Sequence, residues 1–193
     1  MKKLLNIPFI SQYELPRDPD GLSRACGIAC VKMVIDYVGQ EKVSFLALSE
    51  EAKMIKGGYL EGIGWTDMGI TALLRNHNIG CYSEEFRSVF NNTEQKKVLS
   101  SPFEAGHIER GIKKIAQEIE NGRPVIISGI KNWKEKSKPH KMIIVGFEKE
   151  GNTITGFYYH DPHDESKDGK NNFIDIENFR THWRKFAIFL DLE

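Results

Sequence analysis

Cys26 stands in the run Ser23-Arg-Ala-Cys-Gly-Ile-Ala29, at the first turn of what reads as an apolar helix. The free N–H groups and the positive dipole end of a helix start favour an anion, so a thiolate here has a lowered pKa. Gly27 leaves room beside it for a substrate backbone. Cys30 lies deeper in the same helix, away from that field. From composition alone all three cysteines, Cys81 included, would pass as small core residues. A nucleophilic thiol therefore needs a base.

Six histidines are available, at positions 77, 107, 140, 160, 163 and 182. His140 opens a strongly apolar strand, Lys141 to Phe147, and Asp161 ends the next one, held by Pro162. The turn between these strands falls at Glu150, Gly151 and Asn152. If Glu150-Gly151 are the loop residues, His140 stands opposite Asp161. If Gly151-Asn152 are, Asp161 stands opposite Met142, which shares a face with His140. Both registers put the imidazole and the carboxylate on one side of the sheet, within cross-strand or diagonal reach. His160 then points to the other face. The cluster His160-Asp-Pro-His-Asp164 has four potential ligands, but no further ligand at zinc spacing accompanies it, so no metal site and no cofactor is expected.

These side chains need a scaffold. Spacings of three and four predict a helix from Ala25 to Val38, capped by Gly39, and a second over Phe45 to Lys56, ended by Gly57-Gly58. Thr66 is a good N-cap for a third, Asp67 to Asn76. Residues 83 to 106 show no period and read as irregular. Ile108 to Asn121 is a fourth helix, closed by Gly122. Strands follow at Val125 to Ile127, Met142 to Phe147, Thr153 to Tyr159 and Lys185 to Leu192, with Asp175 capping a short helix through Trp183. Residues 4 to 13 read as a short strand, and Glu14 to Gly21 as an exposed loop. Helices first and antiparallel strands later predict an α+β fold, with N-terminal helices on a C-terminal sheet. No repeat or linker divides residues 1–193, so a single domain is expected.

The bulk numbers narrow the partners. Lys+Arg and Asp+Glu are both 27, a net charge of zero, which gives no general attraction for nucleic acid or an anionic membrane. Lys131 to Lys141 carries five lysines and reads as a solvated loop. No stretch approaches the roughly 20 apolar residues that span a bilayer. The N-terminus begins like a signal peptide, but Asn6 and Pro8 interrupt it and no small-residue cleavage site follows. An odd count of three cysteines at poor disulfide spacing favours a reducing compartment. The expected location is cytoplasmic, the alternative being secretion with a signal already removed. Oligomeric state leaves no trace in the sequence.

The chain resembles the C39-like peptidases, a branch of the papain-like cysteine peptidases. The resemblance rests on Ile10-Ser-Gln-Tyr13, Ala25-Cys-Gly-Ile28 opening a helix, and Gly64-Trp-Thr66 opening another. It continues through Gly122-Arg-Pro-Val-Ile126, His140 at the head of an apolar strand, and Tyr159-His-Asp-Pro162. It implies a papain-like fold and a triad of Cys26, His140 and Asp161. It also implies that the Gln12 side-chain amide and the Cys26 backbone N–H bind the oxyanion. Pro139 stands before the histidine where such proteins often have Gly, and the longer stretch from Gln12 to Cys26 implies a loop over the cleft. Trp65 and Trp133 are candidates to line that cleft. The expected activity is hydrolysis of a peptide or other amide through a Cys26 thioester. The alternatives are a thiol amidase or acyltransferase on the same scaffold, and a non-catalytic peptide-binding module. Relatives that trim bacteriocin leaders do so attached to a transporter, a role this sequence does not imply.

Overall fold

The computed structural model describes residues 1–14, 25–39, 42–60, 64–87, 102–135, 137–163 and 169–192. Most of the loop expected after Glu14, including the part implied to overhang the cleft, lies outside these residues. So does most of the stretch from 83 to 106.

Helix α1 spans Cys26–Val38 and buries Ile28, Val31 and Ile35. Gly39 ends it in the left-handed conformation (φ 71°), donating its N–H to Ile35 O at 2.9 Å. Helix α2, Phe45–Met54, starts on a Ser44 cap and stops two residues before the expected end. Helix α3, Asp67–Asn76, starts on Thr66, whose hydroxyl accepts from Gly69 N at 3.0 Å. A small hairpin, β2 (Tyr59–Leu60) with β3 (Gly64–Trp65), leads into it.

Here close packing requires a glycine. A Cβ on Gly69 would lie 2.5 Å from Gly58 Cα and 2.6 Å from Gly58 O, backbone atoms that Thr66 also ties down from its own N–H (2.8 Å). Gly69→Ala should therefore destabilise the protein by about 2–3 kcal/mol. In thermal unfolding that reads as a midpoint lower by roughly 5–10 °C. An unchanged midpoint would mean the turn yields freely.

The main sheet is antiparallel and seven-stranded. Its order is β4 (Gly80–Glu85), β9 (Trp183–Asp191), β5 (Val125–Ile130), β6 (Pro139–Glu150), β7 (Thr153–His160) and β8 (Asn172–Asp175), with β1 (Lys2–Leu4) also on β6. One edge of the long β6 is shared: β5 pairs with residues 139–144 and β1 with 146–148. Residues 140–147 of β6 are all buried, so both faces of the strand are covered. Helix α1 packs on β6, as does α4 (Pro102–Glu120). Helix α5 (Ile176–His182) hangs from Asp175, which accepts from the N–H groups of Glu177 and Asn178. One apolar core runs from Leu5 on the N-terminal segment to Leu190 on the last strand. Among the described residues no helix is long and apolar enough to cross a membrane.

The α+β architecture stands as expected, with differences in detail. The first strand is Lys2–Leu4, and Gln12–Glu14 form a 3₁₀ turn rather than a strand end. The sheet also takes in β4 and β8, which the sequence pattern did not predict: Gly80–Glu85 has only Cys81 buried, too little for a period of two. Helix α4 begins at Pro102 rather than at Ile108.

Candidate active site

The hairpin of β6 and β7 sets the geometry. At its turn Glu150 pairs with Thr153, leaving Gly151-Asn152 as the loop. Two bulges follow, of opposite sense. Thr155 is the extra residue on β7, between Lys149↔Ile154 and Glu148↔Gly156. Val145 is the extra residue on β6, between Gly146↔Tyr158 and Ile144↔Tyr159. They cancel, and Ile143↔His160 restores the register of the turn. Asp161, one residue further, falls opposite Met142 and so on the face of His140, the second of the two registers considered.

Across that face His140 Nε2 lies 2.6 Å from Asp161 Oδ1. The imidazole is 5% exposed. Asp161 is held in turn: its Oδ1 accepts from His163 N at 2.9 Å, and its own N–H donates to Gly169 O at 2.8 Å. The other side of the imidazole hydrogen-bonds Cys26, the first residue of α1. With Nε2 engaged by Asp161, Nδ1 is the nitrogen left for the sulfur.

The proton affinities follow this arrangement. Burial pushes the Cys26 thiol up, but the charge and hydrogen bond of His140 outweigh it, helped by the backbone N–H and ammonium of Lys141. The thiol ends below its ordinary value. Burial disfavours a charged His140, yet the facing Cys26 and the Asp161 carboxylate raise it from 6.5 to about 10. Asp161 resists its own burial through His140 and is held below the usual carboxylate range. Both shifts favour a thiolate facing an imidazolium. Cys30, fully buried one turn on, is pushed well up, first by burial and then by the Cys26 charge. All three cysteines are free thiols.

Gln12 is buried at the head of the 3₁₀ turn, which packs on α1. Its N–H donates to Pro162 O at 2.8 Å, and Ser11 Oγ reaches the same oxygen at 3.5 Å. The turn is thereby stitched to the one carrying Asp161. Trp65 is buried edge-on against Tyr59 (5.2 Å between rings). A Cβ on Gly27 would lie 2.9 Å from Ile70 Cδ1 and 3.3 Å from Trp65 Cβ. The space beside Gly27 thus serves the packing of α1 on α3, not the approach of a substrate backbone. Trp133 packs on Tyr159 (5.3 Å) and Phe179 (5.9 Å). His160 is fully buried with both ring nitrogens used, on Ile7 O and Asn171 N, each at 3.1 Å, so it holds the core together.

The lysine-rich segment is not wholly a solvated loop. Lys141 is buried and paired with Asp67 at the start of α3, and Lys131 is half-buried against His163. Lys141, Tyr13 and His163 all belong to the site's surroundings and were missed. A lysine inside the apolar run of β6 was the available signal for the first.

A thiol at a helix start, facing a histidine and an acid on an antiparallel sheet, defines a papain-like α+β fold. The chain belongs to the Peptidase_C39 like family, whose profile it matches over residues 4–187. Among solved structures, it resembles a C39-like peptidase from Bacillus anthracis (TM-score 0.63, 15% identity, covering 100% of this chain and 98% of that one). It also resembles the peptidase domain of Streptococcus ComA, a bifunctional ABC transporter involved in quorum sensing (0.56, 19%, 89% and 93%). A third is a double-glycine-motif protease from an AMS/PCAT transporter, in complex with its leader peptide (0.56, 14%, 98% and 95%). No curated protein matches the chain.

Proposed function

We propose that this protein is a cysteine peptidase with Cys26 as nucleophile, His140 as acid and base, and Asp161 as the group that orients His140. The observation that carries this reading is His140, bonded on one side to Cys26 and on the other to Asp161 at 2.6 Å. The thiolate attacks the carbonyl carbon of an amide, and the imidazolium delivers its proton to the departing nitrogen. The amide bond breaks as the thioester forms. The imidazole, now neutral, takes a proton from water, whose oxygen displaces the sulfur and regenerates the resting pair. Asp161 fixes the ring and favours its charged form.

The oxyanion formed in both steps would lie at the helix start, between the Cys26 N–H and the Gln12 side-chain amide. The bond from Gln12 N to Pro162 O supports this, because it fixes the Gln12 turn relative to the acid and base. Gln12→Ala should lower kcat by about 10²–10³-fold with KM little changed, as for loss of one oxyanion donor. A KM effect alone would make Gln12 a binding residue instead.

Trp133 fixes the position of the Lys131 turn. A peptide as substrate is supported by family membership, and a core continuous from Leu5 to Leu190 supports one domain over residues 1–193. The odd count of three cysteines, with no disulfide framework in the sequence, favours a cytoplasmic location. The test is mass-spectrometric analysis of a peptide mixture after incubation with the protein, the Cys26→Ala variant serving as blank. Cleavage by the wild type alone is expected, and an acyl adduct on Cys26 in quenched samples. Peptides left intact by both proteins would remove the peptidase reading.

A further inference from the structure

Lys141 follows the base in sequence and touches the nucleophile in space. Among the described residues β7 pairs with β6 no further toward its start than Ile143, so the edge of β6 at Lys141 is open to the start of α1. There the Lys141 N–H hydrogen-bonds the Cys26 sulfur. Side chains alternate along a strand, so the ammonium leaves β6 on the face opposite the imidazole of His140. It ends against the carboxylate of Asp67, the first residue of α3, with Nζ 5.5 Å from the centroid of the Phe186 ring. The Lys141 side chain is 10% exposed. Among the described residues no second carboxylate pairs with it. The start of α3 also borders the nucleophile from the other side: Trp65, two residues before Asp67, packs beside Gly27.

Such a pair adds little to stability. Apolar side chains of like volume in place of a buried ion pair often leave a fold as stable or more so. Its place beside the sulfur gives it another use. Burial opposes a charge on Cys26, and His140 and then Lys141 offset it. Other charged groups on the elements around α1 are engaged elsewhere. Asp161 holds His140 and the His163 N–H, and Glu14 accepts from Ser11 N at 3.3 Å. On α2, Glu50 pairs with Lys53 and Glu51 with His77. Cys30, one turn along α1, keeps its proton because it is buried.

We propose that Lys141 is a second cation for the Cys26 thiolate, and that Asp67 is a positioning residue that acts through it to limit the charge the sulfur feels. The proposal rests on the reading of Cys26 as nucleophile. In that reaction His140 gives up its charge, because its proton goes to the departing nitrogen. The Lys141 ammonium takes no part in the proton transfer. It therefore favours the thiolate again when the sulfur leaves the thioester.

The test is alkylation of Cys26 by iodoacetamide as a function of pH, with the labelled cysteine identified by mass spectrometry. At a pH below the wild-type midpoint, Lys141→Met should slow the reaction by at least about threefold, because the midpoint rises when a nearby cation is lost. Asp67→Asn should quicken it by at least about threefold, because the ammonium is then unopposed. The double variant, and Lys141→Arg with its charge kept, should both stay within about twofold of the wild type. A merely structural pair predicts shifts of one sign, since either single variant loosens the same contact. Should Lys141→Met fail to fold in thermal unfolding, the acceleration in Asp67→Asn decides alone. An unchanged midpoint in either folded single variant, or two shifts of the same sign, would overturn the proposal. Whether Cys26 catalyses hydrolysis is read separately, from turnover by the wild type, and alkylation needs no substrate.

Discussion

Cys26→Ala should abolish hydrolysis, lowering kcat by on the order of 10⁴-fold or more, while leaving the fold intact. Removing one member of a nucleophile–base pair costs nearly as much as removing the whole constellation, because the remaining groups have nothing to activate. The side chain is small, so its loss disturbs little packing. Cys30→Ala is the matched control. Cys30 is fully buried and its proton is held more tightly than an ordinary thiol's, so activity should persist while stability falls modestly. Steady-state kinetics with thermal unfolding on both variants separates the two roles. Full activity in Cys26→Ala would end the nucleophile assignment.

The second large effect concerns pH. Thiolate and imidazolium coexist above the lowered pKa of Cys26 and below about 10, where His140 loses its proton. Alkylation of Cys26 by iodoacetamide should therefore be fast at pH values where a free thiol, with its ordinary value of 9.0, is mostly protonated. The profile of kcat/KM should be bell-shaped: an acid limb as the thiolate gains a proton, an alkaline limb near 10 as the leaving group loses its proton donor. His140→Ala removes the charge and the hydrogen bond that outweigh burial. What remains is burial, opposed by Lys141 and the helix start, so the alkylation midpoint should rise. Activity should fall by roughly 10³–10⁴-fold at neutral pH. A midpoint unchanged in His140→Ala would show that the helix start alone activates the sulfur.

The placement of both residues was legible in the sequence because each depends on a local rule. Cys26 announced itself by the onset of an apolar helix, and His140 by the head of an apolar strand. Asp161 required only the parity of a hairpin, and the alternation of side chains survives errors in strand length. The whole fold class followed from the order of helices and strands. What escaped was set by tertiary contact. Lys141 lies in a run of lysines whose other described members remain at least partly exposed, and only the approach of Asp67 on α3 makes its burial tolerable. Strand β4 is made by its partner β9 rather than by its own pattern. Tyr13 and His163 are separated by 150 residues and meet only because the Gln12 turn is bonded to Pro162.

The cancelling bulges of β6 and β7 bear on how this site changes over evolutionary time. Val145 and Thr155 are an insertion and its counterweight, one on each strand. Loss of either alone would shift the pairing beyond it by one residue, bring His160 to the face of His140 and turn Asp161 away. Loss of both together would leave the pairing of His140 with Asp161 untouched. Lineages descending from such a hairpin can therefore lengthen or shorten it only in compensating steps, and the spacing from histidine to acid should drift by even numbers.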